Sequence, residues 1–141
     1  LGFISDRLGR RKPVIFAGAF ALLCILGWVL FGNPEIFRGP IVGILMGIAS
    51  GAAMIPYSVI KEANPPELGG SATGVVNFIN FTFSALLGPA FGARLVRVSE
   101  GSETMSLADY QAGFKPLLYG IVAALILTCF LKETGPAARK T

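Results

Sequence analysis

The sequence predicts an all-α, polytopic membrane protein with four transmembrane helices. Three observations carry this. First, 53% of the 141 residues are apolar and only 14% are charged, against about 25% charged in an ordinary soluble domain. Second, the charges are absent from four runs, 14–32, 40–60, 71–93 and 116–131, of 19, 21, 23 and 16 residues. A spanning helix needs roughly 17–25 mostly apolar residues. Third, little sequence remains outside those runs. A soluble domain, a nucleic-acid module and a disordered tail are excluded. The chain has no His, the commonest acid–base group and metal ligand. Its two cysteines, Cys24 and Cys129, lie inside apolar runs. No metal site, disulfide framework or cofactor is expected, and nothing points to an enzyme.

Residues 1–13 read as a cytoplasmic loop, a helix end followed by the basic cluster Arg7, Arg10, Arg11 and Lys12. Lys and Arg collect on the cytoplasmic side of a membrane. The first, third and fifth connecting segments hold eight basic residues and the second and fourth hold four. Both ends of the chain are therefore expected inside, with a cytoplasmic tail at 132–141. Span one (14–32) is apolar all round and reads as an outer, supporting helix, with Trp28 and Phe31 at its outer end suited to an interfacial belt.

Span two (40–60) is preceded by Gly39 and carries Gly43, Gly47 and Gly51 at four-residue spacing. These four share one helix face, where small residues let another helix approach closely. The stripe serves either a moving seam or static packing. Near its inner end, Pro56 removes a backbone hydrogen bond. With Tyr57 and Ser58 it forms either a gate or a simple kink.

Span three (71–93) places Thr73, Asn77, Asn80, Ser84 and Gly88 on one polar stripe. Two Asn within hydrocarbon need partners, so the stripe faces protein or a wet cavity. It lines either a solute path or a seam joined by hydrogen bonds. No Asp, Glu, Lys or Arg lies within a span core, so a proton-carrying group is not expected in these spans. Ser106 and Asp109 match a capping box, which starts a helix near Leu107 that continues through Pro116 as span four, 107–131.

Residues Gly2, Asp6, Arg7, Gly9, Arg10 and Arg11 occupy the fixed positions of a G-x-x-x-D-R-x-G-R-R pattern. This resembles the signature loop of the major facilitator superfamily. Asn64-Pro65-Pro66-Glu67, the Gly69–Gly74 opening of span three and Lys132-Glu133-Thr134 are similar to that family too. The resemblance covers essentially the whole chain. It implies the last four helices, nine to twelve, of a twelve-helix bundle. Span two would then line the central cavity, span three would sit between the two halves, and spans one and four would be outer supports. It implies alternating access by two rocking bundles, with Asp6 meeting a helix N-terminus of the other half. Gly70, Ser71 and Ala72 would receive an acidic partner by pseudo-symmetry.

The expected partners are a small-molecule substrate, the lipid bilayer, the N-terminal portion of the same polypeptide and a coupling ion, proton or sodium; nucleic acid is not among them. The expected location is a bacterial inner (plasma) membrane. The chain opens at Leu1 within a helix end or loop rather than a signal peptide, and reads as a fragment of a secondary transporter. The competing reading is a self-contained four-span protein acting as an oligomeric transporter or scaffold.

Overall fold

The computed structural model describes residues 1–32, 39–99, 104 and 106–137. Arg38, Arg139 and Lys140, three of the basic residues used to assign sides, lie outside them. Among the described residues there is no strand. Six α-helices follow in order: α1 (Gly2–Leu8), α2 (Lys12–Phe31), α3 (Gly39–Ser50), α4 (Ile55–Ala63), α5 (Gly69–Val98) and α6 (Leu107–Phe130). Among the described residues, four segments are long and apolar enough to cross a membrane: α2, Gly39–Ala63, Pro66–Val98 and α6.

Each boundary has a local cause. Part of the expected loop at 1–13 is helical: α1 runs until Gly9, whose φ of 61° is left-handed, a conformation glycine adopts without steric cost. The Gly9 amide closes the turn on the Asp6 carbonyl at 3.2 Å. Pro13 lies in the first turn of α2, where its missing N–H has no helical acceptor to lose. The start of α6 is the capping box itself. The Asp109 amide donates to Ser106 Oγ at 3.2 Å, and the Ser106 amide donates to Asp109 Oδ2 at 2.8 Å. Pro89 and Pro116 lie inside α5 and α6, which continue through them.

The second span is not one helix. A 3₁₀ turn, Gly51–Met54, separates α3 from α4. Pro56 explains it: with no amide hydrogen, Pro56 cannot bond the Ala52 carbonyl, and the Ile55 amide takes that carbonyl instead. The break therefore falls one turn before the Pro56-Tyr57-Ser58 segment where the sequence suggested it.

The helices pack antiparallel. Lys12 Nζ donates to the Cys129 carbonyl at 2.6 Å, which joins the start of α2 to the end of α6. At the other end, the Lys115 ammonium lies 6.0 Å from the Phe31 ring centroid, within cation–π range. Helices α5 and α6 meet through Phe91 and Phe114, with ring centroids 5.8 Å apart. The core is small: Val14 of α2 against Ala52, Ile55 and Val59 of span two. No residue of α5 is buried.

The glycines that make close helix contacts are not those of the stripe. A Cβ at Gly18 would overlap the Cβ of Ala52 and lie 3.2 Å from the Ala49 carbonyl oxygen. A Cβ at Gly113 would strike Leu95. A Cβ at Gly39, Gly43 or Gly47 would meet nothing within 4 Å, and one at Gly51 would meet only Leu1, at 3.9 Å. The stripe seats no helix among the described residues.

Candidate functional site

Two arrangements stand out, a charged bridge at the motif end and a cleft at membrane depth. The bridge is built on Arg11, which the Gly9 turn directs inward until only 8% of it is exposed. All three nitrogens of its fork donate. Nη1 donates to Ser5 Oγ at 3.0 Å and pairs with Asp6. Nη2 and Nε both reach Glu62 Oε1, at 2.6 and 3.2 Å, with Nε also 3.3 Å from Oε2. Ser5 has no exposed surface and donates in turn to the Arg10 carbonyl at 3.2 Å. Planar, charge-assisted contacts of this kind favour arginine over lysine. The Glu62 and Asp6 carboxylates hold the Arg11 guanidinium charged well beyond its ordinary range, against the opposing effect of burial.

The segment after α6 closes over this bridge. Thr134 Oγ1 donates to Glu62 Oε2 at 3.0 Å, and the Ala137 amide donates to the Gly9 carbonyl at 2.9 Å. Gly135 is buried so tightly against Gly9 and Arg10 that a Cβ there would overlap the Gly9 carbonyl. Glu133 lies over the start of α2. Its Oε1 accepts from the Arg11 amide at 2.6 Å and its Oε2 from the Lys12 amide at 3.3 Å. No cap comes from the neighbouring side chains of α2, so this remote carboxylate serves as one and also meets the positive end of the helix. Burial pushes the Glu133 pKa up. Hydrogen bonds from the amides of Arg11, Lys12, Gly135 and Thr134 outweigh it and hold the group below its ordinary value.

The cleft, of about 490 Å³, lies between span two and α5. Pro56, Tyr57 and Met54 line one wall, and Ile79, Asn80 and Phe83 the other. Tyr57 Oη donates to Asn77 Oδ1 at 2.7 Å, tying α4 to α5. Among its lining residues only Tyr57 and Asn80 carry polar side chains, and none is charged. A second cavity of about 460 Å³, lined among others by Leu22, Leu26, Met46, Leu117 and Thr128, is almost wholly apolar. Its Thr128 hydroxyl is satisfied by the Ala124 carbonyl at 2.7 Å.

The structure divides the sequence candidates. Asp6, Gly9 and Arg11 meet in the bridge, while Gly2, Arg7 and Arg10 are exposed around it. Tyr57, Asn77 and Asn80 meet at the cleft. Ser58 is half-buried on α4. The Thr73 hydroxyl turns back to the Gly69 carbonyl at 2.8 Å, and Ser84 is exposed on α5. Among the described residues there is no group of His, Cys, Asp and Glu able to hold a metal ion.

Residues 1–89, which include the whole bridge loop, span two and most of α5, match the family described as the Major Facilitator Superfamily. The chain belongs to that family. It is similar to Sugar transporter ERD6-like 8 of Arabidopsis thaliana, with 30% identity over 113 residues, 70% of this chain and 23% of the relative. It is similar to the Phosphoglycerate transporter protein of Salmonella typhimurium, with 28% identity over 139 residues, 95% of this chain and 27% of the relative. It also resembles Major facilitator superfamily domain-containing protein 10 of Bos taurus, with 24% identity over 99% of this chain and 27% of the relative. The chain thus spans about a quarter of the length of these relatives. No solved structure matches it. Family membership and four apolar spans make it an integral membrane protein.

Sequence reasoning missed several residues of the bridge. Ser5 and Glu62 were passed over, and Glu133 and Thr134 were read only as a chain end resembling the family. A signal was present: with no charge inside the four apolar runs, each carboxylate near the motif end has the Arg cluster as its natural counter-charge.

Proposed function

We propose that the chain forms helices nine to twelve of a secondary transporter that moves a small solute by alternating access, with the motif end in the cytoplasm. The observation that carries this is the Arg11 bridge, which ties the motif loop to span two through Glu62 and to the tail through Thr134. Such a hub holds three segments together on one side of the membrane, as a latch on a closed cytoplasmic face must. Asp6 remains 66% exposed despite its pairing, so a helix N-terminus of another segment has access to it. The cleft wall offers Tyr57 and Asn80 and no charge. That suits a neutral hydroxylated solute, as in the Arabidopsis relative's name, better than a phosphorylated acid. The coupling ion is a proton or sodium, carried outside these four spans.

The test is uptake by the polypeptide that the complete reading frame encodes, reconstituted in proteoliposomes. Neutral and anionic solutes are offered under proton and sodium gradients. Glu62→Gln and Asp6→Asn should each lower the rate by about tenfold, the factor that about 1.4 kcal/mol gives, with insertion unchanged. Parent-like transport by both variants would remove the latch role.

The open glycine face favours one further reading, self-association through Gly43 and Gly47. A disulfide-linked dimer of Gly43→Cys in the membrane would support it, and a monomer on oxidation would not.

A further inference from the structure

We propose that the 3₁₀ turn Gly51–Met54 is a register element that sets the rotation of α4, so that the bridge and the cleft tie are made and lost together. The inference rests on the latch reading for its functional meaning, but its geometry stands apart from it. A 3₁₀ turn advances about 120° per residue against about 100° in an α-helix, so four residues accumulate about 80° of extra rotation and about 2 Å of extra rise.

The buried residues of span two record that rotation. Val42 and Ala49 are buried in α3, and Ile55 and Val59 in α4. In an unbroken α-helix Val59 would lie about 100° around the axis from Val42; the extra rotation returns it to within about 20°. Helix α2 packs along α3 and the turn, and its Val14 meets Ile55 and Val59. One continuous buried stripe therefore exists only while the turn is overwound. Gly18 marks the point of closest approach, against Ala49 and Ala52. Pro56 holds the turn overwound by denying Ala52 its α-helical donor.

Both polar ties lie on α4, beyond the turn. Tyr57 reaches Asn77 and Glu62 reaches Arg11. The helix is only nine residues long and turns as one body. Relaxing Gly51–Met54 to an α-turn swings both side chains away from their partners at once. A solute that takes the Tyr57 hydroxyl from Asn77 in the cleft thereby loosens the bridge at the other end of α4.

The experiment is a distance measurement between spin labels on the intact chain in lipid bilayers. Labels are placed at Lys61→Cys on α4 and Phe130→Cys on α6, with Cys24 and Cys129 replaced by Ala. The parent should give one narrow distance population. Pro56→Ala should add a population displaced on the order of 5 Å or more, as expected for a rotation of about 80° at side-chain radius. Gly51→Ala, whose new Cβ meets only Leu1 at 3.9 Å, should shift the distribution the same way and less. Tyr57→Phe should broaden it. Distributions unchanged in both Pro56→Ala and Gly51→Ala would overturn the proposal, whatever the transport assay gives. A transport failure alone would leave these distances as they are.

Discussion

The motif end and the membrane-depth stretch of α5 are opposites. At the motif end, Arg11, Ser5, Glu62, Glu133 and Thr134 satisfy one another across residues as far apart as 122 positions in sequence. Along α5, none of thirty residues is fully buried, and Asn80 is exposed beside Phe78 and Phe81. The contrast separates what these helices stabilise by themselves from what they leave for other surfaces. The bridge is a finished structure. The exposed part of α5 is a prepared one, apolar enough for a bilayer yet carrying the Asn80 amide, which hydrocarbon does not satisfy.

Breaking the bridge should give the largest effect. Arg11→Met leaves Glu62, with 21% of its side chain exposed, without its guanidinium. Removing one partner of a buried pair costs about 3–5 kcal/mol, and the partial exposure of Glu62 places this case near the lower end. Thermal unfolding in detergent should report it, and the double variant with Glu62→Met should recover much of the loss. Additive losses in the double variant would mean that the two residues do not act as a pair. A smaller loss is expected at Gly18. Gly18→Val drives a side chain into Ala52, and overpacking of this kind costs about 1–3 kcal/mol. A stable Gly18→Val protein would show that α2 and the 3₁₀ turn separate easily.

How much of this was legible in the sequence follows from the range of each interaction. The four spans were legible because hydrocarbon excludes charge, and charge-free runs are visible one residue at a time. The α6 start was legible because Ser106 and Asp109 are three residues apart. The Tyr57–Asn77 tie was legible only as two polar residues in need of partners. Glu133 was not legible as a cap: its target, the start of α2, lies at the other end of the chain, and only folding brings them together. The glycine stripe leaves its neighbour open for a related reason. Four-residue spacing identifies a face but not its neighbour, whereas the contact at Gly18 depends on one isolated glycine with no pattern around it.

Glu133 gives a prediction with a definite sign. Glu133→Gln keeps a carbonyl oxygen over the Arg11 and Lys12 amides but loses the charge, and a lost cap is worth about 0.5–2 kcal/mol. The native carboxylate is held below its ordinary value of 4.5. Its stabilisation is therefore complete above that ordinary value and disappears as the pH falls through the lower, folded-state value. Parent and Glu133→Gln should differ in unfolding temperature at neutral pH and converge in acid. A gap that persists at the lowest pH would mean that the carboxylate acts through packing rather than charge.

The smallest effect tests the open face. Gly43→Ala adds a methyl where nothing lies within 4 Å. Alanine in a helix interior is favoured over glycine by about 0.5–1 kcal/mol. In this chain by itself the change should therefore be neutral or slightly stabilising, the reverse of Gly18→Val. The same substitution in the polypeptide that the complete reading frame encodes tests for a neighbour on that face. If another helix packs on Gly43, the methyl must push it away, and the gain becomes a loss. A gain in both settings would leave that face to lipid. A gain in one and a loss in the other would locate a helix seam from the sign of a single methyl group.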